Sequence, residues 1–263
     1  MFRHLHIVAC SPRSGTTLLH EVMVTCFRTD KHYDHEMRFN LVSAGNGDLL
    51  ISKRPKDTMY MPDVIDDPEL YVIYMLRDPR DVIVSRHGKK REIFYSNIRL
   101  WRELHGHARR LAGHERFLQL RYEEFVSNPD EVQRQIQAAF PWLEKVHDFS
   151  EYHKYAQVSE KSRLAMNSVR PIAPSSIGVW KKQPGRIKAQ QLLHGSLTPE
   201  LIECGYESSP DWERALDDVA PDYSRSLYPE KVYFWSRISQ RINALRKVAA
   251  YRRKRRRQGP QSE

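Results

Sequence analysis

Ser11-Pro12-Arg13-Ser14-Gly15-Thr16-Thr17-Leu18-Leu19 stands between two apolar patterns of different period. Before it, Leu5-His6-Ile7-Val8-Ala9 is an apolar run of strand length; after it, Leu18, Leu19, Val22, Met23 and Cys26 recur at helical spacing. A strand, a tight turn of small residues and a helix, in that order, make a phosphate cradle, because the turn's N–H groups and the helix N-terminus converge on one anion. The alternative is a serine-rich turn in which Thr16 or Thr17 only caps the helix.

The loop that binds ATP or GTP reads G-x-x-x-x-G-K-[ST], with its Lys on the outer phosphates. Aligned on Gly15, this chain has Cys10 in place of the first Gly and Thr16 in place of the Lys. It keeps a cation, Arg13, on the turn itself. That is a different phosphate chemistry from a β,γ-phosphate grip.

Tyr71-Val72-Ile73-Tyr74-Met75-Leu76-Arg77-Asp78-Pro79-Arg80-Asp81-Val82-Ile83-Val84-Ser85 is the second informative stretch. Its β-branched apolar run reads as a buried parallel strand, and Asp78-Pro79 starts a helix expected over about residues 80 to 87. Arg77 and Ser85 have the spacing and chemistry of a phosphate pair, a planar guanidinium and a hydroxyl. Alternatively, Arg77, Asp78, Arg80 and Asp81 pair with one another on a surface helix.

Further strand patterns at Leu49 to Ser52 and Phe117 to Leu120 alternate with helical patterns around 16 to 28, 95 to 112 and 130 to 139. Such alternation predicts parallel βαβ crossovers and an α/β fold with three layers, helices on both sides of a central parallel sheet, with ligands at the strands' carboxyl ends. The 263 residues and 40% hydrophobic content suffice for one sizeable core.

P-R-S-G-T-T-L after a first strand, together with Arg77 and Ser85, resembles the sulfotransferases that use 3′-phosphoadenosine 5′-phosphosulfate (PAPS). The resemblance is closer to the carbohydrate and protein-tyrosine type than to the cytosolic small-molecule type. It implies a P-loop fold in which Pro12, Arg13, Ser14, Gly15, Thr16 and Thr17 hold the 5′-phosphosulfate and Arg77 and Ser85 hold the 3′-phosphate. Phe117 to Phe125 followed by Asn128-Pro129 resembles the family's strand and "Y-E-x-L" segment, which implies that Tyr122 lies near the nucleotide. Ile177-Gly178-Val179-Trp180-Lys181-Lys182 resembles its late "G-x-W" segment, which implies that Trp180 and Lys181 close over the 3′-phosphate. Both echoes are equally compatible with structural turns.

The implied reaction passes a sulfuryl group in line from PAPS to an acceptor hydroxyl, on a glycan, glycolipid or other large molecule. Such a site needs a base for the hydroxyl and cations where charge develops on the leaving oxygen. Arg13 suits the second task, and Lys53 resembles the family's Lys after the second strand, although Lys53, Arg54 and Lys56 also fit a solvated loop. The family's Glu about twenty residues after the phosphosulfate loop implies Glu36 as base, within Asp34-His35-Glu36-Met37-Arg38. His35 and Asp34 remain alternatives. The segment from Tyr155 to Ser176 has no sustained period, and the resemblance implies a mobile stretch over the nucleotide there, with Lys161, Arg163 and Arg170 as candidate contacts. An NTP-dependent kinase or a nucleotide-binding module without catalysis is the competing reading.

Cys10, Cys26 and Cys204 give neither zinc spacing nor an even disulfide set, and the proposed chemistry needs no metal, so none is expected. No apolar run reaches the ~18 residues of a membrane span and no secretory leader pattern opens the chain, which leads to the expectation of a cytoplasmic protein, free or peripheral to a membrane. The formal charge of +10 is concentrated at one end: residues 230–263 hold eleven Lys/Arg against Glu230 and Glu263. There Phe234, Ile238, Ile242, Leu245 and Ala249 recur at helical spacing, with Trp235 and Tyr251 alongside. We therefore divide the chain into a sulfotransferase-like domain, 1–229, and a basic amphipathic helix with its tail, 230–263. That helix either lies on an anionic membrane surface or docks on the body by its apolar stripe. Nucleic acid is the poorer partner, since no recognition motif accompanies the charge.

Overall fold

The apolar runs become strands and the helical patterns their crossovers. The computed structural model describes residues 2–42, 48–86, 88 and 92–258. In chain order the elements are β1 (Arg3–Ala9), α1 (Thr16–Cys26), β2 (Lys31–His32), β3 (Leu49–Lys53), β4 (Leu70–Leu76), α2 (Pro79–Ile83), α3 (Ile98–Arg109), β5 (Phe117–Arg121), α4 (Tyr122–Ser127), α5 (Pro129–Ala139), α6 (Tyr152–Tyr155), α7 (Glu160–Met166), α8 (Pro184–His194), α9 (Thr198–Glu203) and α10 (Phe234–Gln258). The strands form one parallel sheet in the order β2-β3-β1-β4-β5. β1 has β3 on one side and β4 on the other, so the chain reverses its winding direction there and leaves a crevice at the carboxyl ends. Register brings those ends level: Ile7 faces Lys53, Ala9 faces Met75 and Leu76 faces Arg121.

Both sheet faces are covered, which explains the unbroken apolar runs. Leu5, Ile7 and Ala9 pack with α1, α4 and α5 through Val22, Phe125 and Ile136; Val8 and Cys10 point the other way, toward Tyr74, Leu76 and Trp101 of α3. Residues 186–229 supply Ile187, Leu197, Leu201 and Leu216 to a third cluster with Ile83, Phe94 and Ile98.

Three expectations are corrected. The helix after Asp78-Pro79 ends at Ile83, so Ser85 follows it and is not helical; residue 87 lies outside the described residues. The cause is a competing pairing, in which the Ser85 carbonyl accepts from Tyr95 N–H (2.7 Å) and Arg86 bridges Phe94. Inside the aperiodic stretch 155–176 lies α7, capped by Ser159, whose hydroxyl accepts from Ser162 N–H at 3.3 Å. Docking of α10 on the body is not by its apolar stripe. Ala244, Val248 and Tyr251 make the contact. The Tyr251 hydroxyl and the Arg255 guanidinium bind Asp67 (2.6 Å each), and Arg255 also pairs with Glu69. Lys254 donates to the Val42 carbonyl and Lys247 to the Tyr60 hydroxyl.

Trp101, fully buried, donates its indole N–H to the Arg77 carbonyl at 3.2 Å and so fixes the end of β4. Trp101→Phe keeps most of the apolar volume and removes the donor, so denaturant unfolding is expected to show a loss of about 1–3 kcal/mol.

Candidate active site

The loop between β1 and α1 turns through two left-handed residues, Arg13 (φ 75°) and Gly15 (φ 86°). Loops of this kind leading into a helix concentrate backbone N–H groups on one anion. Gly15 is itself the N-cap of α1 and no side chain caps it, so neither Thr16 nor Thr17 serves as a cap. The serine side chains turn inward: Ser14 Oγ lies 3.1 Å from Cys10 Sγ, and Ser11 Oγ lies 2.6 Å from Ser96 Oγ. Burial pushes the Cys10 thiol up to about 12, which leaves it a neutral packing group.

Gly15 is required sterically. A Cβ there would sit 2.5 Å from Cδ2 of Tyr122, whose ring lies over the loop. The Arg77 guanidinium lies 4.1 Å from the centroid of that ring. From the end of β4, Arg77 donates to the Arg13 carbonyl (2.7 Å) and to the Ser176 carbonyl (2.6 Å). Its Nε is buried and has no partner among the described residues. Arg13 Nε donates to Ser85 Oγ at 3.0 Å, so the two residues expected at opposite phosphates touch each other. Burial and the neighbouring Arg77 lower the Arg13 pKa, the signature of two cations sharing a site.

Arg13, Gly15, Arg77, Tyr122 and Ser176 wall a cavity of about 480 Å³ at the carboxyl end of the sheet; Ser85 touches Arg13 from outside that wall. Pro12, Arg13, Gly15, Thr16, Thr17, Arg77, Tyr122 and Glu36 line it from the sheet side. Met166 to Ser168, Arg170 to Ala173, Ser175 and Ser176 line the other side, and Asn167 and Ser168 both adopt positive φ there. Lys161 and Arg163 are not part of the wall. Ser14 does not line it either; its hydroxyl is turned to Cys10.

Glu36 stands at the exposed mouth. Partial burial raises its pKa, and the charges of Arg54, Lys53 and Lys56 counter this only in part. His35 and Asp34 do not line the cavity; Asp34 faces His32 at 3.7 Å. Lys53 does not line it either. Its Nζ lies behind α1, 3.6 Å from Glu21 Oε1, and the same oxygen accepts from Ser162 Oγ at 2.7 Å and lies 3.2 Å from His20 Nδ1. This buried cluster ties α1 to α7 under the far wall, and no motif announced it.

Trp180 and Lys181 are held near the cavity without entering its wall. Asp81 accepts from the N–H groups of Gly178 (2.8 Å) and Trp180 (2.9 Å), and the Trp180 ring carries the Arg80 guanidinium at 4.4 Å. Arg80 pairs with Asp78 at 2.7 Å, so the two pairing schemes suggested by the sequence coexist: Arg80 serves the fold and Arg77 the cavity. Sequence reading missed Tyr95 and Tyr152. Tyr95 lines the cavity where Arg13 and Glu36 both act on its hydroxyl, and burial is the main cause of its raised pKa. It sits in an ordinary loop before α3, with no pattern to mark it. Among the described residues no group of three or more His, Cys, Asp or Glu is placed to hold a metal.

No family model matches the chain, and no curated protein matches it. Among solved structures it is similar to the sulfotransferase domain from the curacin biosynthetic pathway, at 15% identity over 69% of this chain and 91% of that one, with a TM-score of 0.49. It is also similar to the sulfotransferase domain of the Synechococcus PCC 7002 olefin synthase, at 17% identity over 68% and 88% with a TM-score of 0.45. Retinol dehydratase, in a complex with retinol and PAP, is similar at 13% identity over 95% and 82%, with a TM-score of 0.33. What the site can do is read from its own residues.

Gly15→Ala combines a forbidden φ with the Tyr122 clash and is expected to cost about 2–4 kcal/mol in denaturant unfolding. Gly15→Ala with Tyr122→Ala removes the clash and keeps the φ strain, so the Gly15 substitution should cost less in that background.

Proposed function

We propose that the chain transfers a sulfuryl group from PAPS to an acceptor hydroxyl, as the carbohydrate and protein-tyrosine sulfotransferases do. The observation that carries this is Arg77: a buried guanidinium at the cavity wall, aimed by two carbonyls and an aromatic face, with its Nε left over. A cationic cleft with a glycine cradle, no loop Lys and a second arginine fits a nucleotide bearing phosphates at both ends. The volume is of the size that encloses a nucleotide.

Bound PAPS would supply the sulfuryl group and a good leaving group, 3′-phosphoadenosine 5′-phosphate. The loop of Pro12 to Thr17 holds the 5′ end, and Arg77 with Ser85 holds the 3′-phosphate. Tyr122 fixes the Arg77 plane, and Trp180 and Lys181 support the Ser176 side that closes over the nucleotide. Glu36 takes the proton from the acceptor hydroxyl as its oxygen bonds to sulfur. Arg13 stabilises the charge left on the phosphate oxygen when the old S–O bond breaks. Lys53 acts on Glu36 through space, as a buried positive charge. Acceptors that are glycans, glycolipids or other large molecules, and a cytoplasmic or membrane-peripheral site of action, belong to the same proposal.

Calorimetric titration with 3′-phosphoadenosine 5′-phosphate and with ATP tests the donor site. The bisphosphate should bind more tightly than ATP, and Arg77→Ala should weaken it by about 10- to 100-fold. Preference for ATP, or no loss in the variant, would favour the kinase reading. For the base, Glu36→Gln should lower transfer from labelled PAPS by about 10²–10⁴-fold and leave bisphosphate binding intact, whereas His35→Ala should not. The base works deprotonated and burial raises its pKa above the ordinary glutamate value, so the wild-type rate should fall as pH drops through that raised pKa, and Glu36→Gln should abolish that limb. Intact binding with transfer unaffected by Glu36→Gln would remove Glu36 as base.

A further inference from the structure

The contact face of α10 is not its most apolar face. At about 100° per residue, Phe234, Trp235, Ile238, Ile242 and Leu245 gather roughly a third of a turn away from Ala244, Val248, Tyr251 and Arg255, which hold the helix to the body. The stripe is left outward: Trp235 is 78% exposed, Phe234 69% and Leu245 60%. A water-facing stripe of this kind marks an interaction surface, since single exposed apolar residues are ordinary and an aligned run is not.

Charge says what covers it. The 25 residues of α10 contain no Asp or Glu. Arg237, Arg241, Arg246, Arg253 and Arg256 are exposed and make no ion pair among the described residues. Arg241 and Arg246 flank the stripe and Arg253 and Arg256 extend its line toward the C-terminus, whereas Lys247, Lys254 and Arg255 are used up in binding the body. Aromatic and aliphatic side chains on one line with free arginines beside it are what lies at the boundary between lipid headgroups and acyl chains. A nucleic acid would use the arginines and leave Phe234, Trp235 and Leu245 in water.

We infer that α10 is a preformed anchor for an anionic lipid surface, docked on the catalytic body through its Val248 face and seated in the headgroup region through its Trp235–Leu245 face. The anchor is independent of the chemistry in the cavity. Unlike an anchor that folds on contact, it needs no folding on arrival, because Asp67, Glu69 and the Val42 carbonyl already hold it. No helix among the described residues is long and apolar enough to cross a membrane, so lying on the surface is the mode open to α10.

Co-sedimentation of the full chain with phosphatidylcholine vesicles, with and without phosphatidylserine, tests this. Binding should require phosphatidylserine and weaken as salt rises. Trp235→Ser with Leu245→Ser, and separately Arg246→Glu with Arg253→Glu, should each weaken it about tenfold or more while circular dichroism and 3′-phosphoadenosine 5′-phosphate binding stay unchanged. Equal binding to neutral vesicles, no binding, or no loss in either variant would overturn the inference. So would a dimer in sedimentation equilibrium that Trp235→Ser with Leu245→Ser dissolves, or tighter binding to duplex DNA or RNA than to vesicles. Because bisphosphate binding is measured on the same samples, failure of the anchor is distinguishable from failure of the donor site.

Discussion

Arg77 is the residue on which the rest of the cavity depends. Its backbone ends β4, where the Trp101 indole fixes its carbonyl, and its side chain reaches back across the crevice to the Arg13 carbonyl and forward to the Ser176 carbonyl. One planar cation thus joins the sheet, the loop after β1 and the segment that forms the opposite wall. A lysine would keep the charge and lose the fixed fork, because an ammonium cannot hold two carbonyls and an aromatic face in one plane. Burial and the like charge of Arg77 both lower the Arg13 pKa, so the cleft concentrates positive charge at the end of the sheet.

Not every suggestive constellation in the molecule is chemistry. Ser52 Oγ lies 2.7 Å from both His4 Nε2 and His6 Nδ1, and His6 Nε2 lies 3.3 Å from Asp57. The residue types are those of a hydrolytic triad, yet all four side chains are buried and none of them lines the cavity. Desolvation keeps His4 neutral, with a pKa well below its ordinary value. The group joins β1 to β3, and Asp57 also accepts from the Phe39 N–H at 2.8 Å, which steadies the loop that carries Glu36. Distance alone would have misassigned it; access decides.

Much of the fold was legible because period and punctuation are local properties. The runs at Leu5, Leu49, Tyr71 and Phe117 became β1, β3, β4 and β5, and the loop at Pro12 to Thr17 fell where a strand meets a helix. Failures came where distant segments compete for the same backbone. Ser85 left the helix because Tyr95 bonds its carbonyl, and the two-residue β2 exists only because β3 offers it an edge. Glu36, implied by the family resemblance, lines the cavity, while Lys53, implied in the same way, faces Glu21 behind α1. Strand alternation decides that difference, since Lys53 ends a strand buried on both faces.

By itself the sequence determined the elements, the parallel sheet and the two arginine-bearing turns at its carboxyl edge, because each rests on spacing within about fifteen residues of chain. Only the tertiary structure decided which cations share the cavity, that Tyr95 and residues 166–176 complete its wall, and which face of α10 meets the body. Those outcomes rest on contacts such as Arg77 with Ser176 and Tyr251 with Asp67, formed between residues remote in sequence. No periodicity encodes a partner so far along the chain. The helix shows this most plainly: of the two roles left open for its apolar stripe, docking on the body fell away, because Lys247, Lys254 and Arg255 with buried Val248 and Tyr251 hold another face to the body.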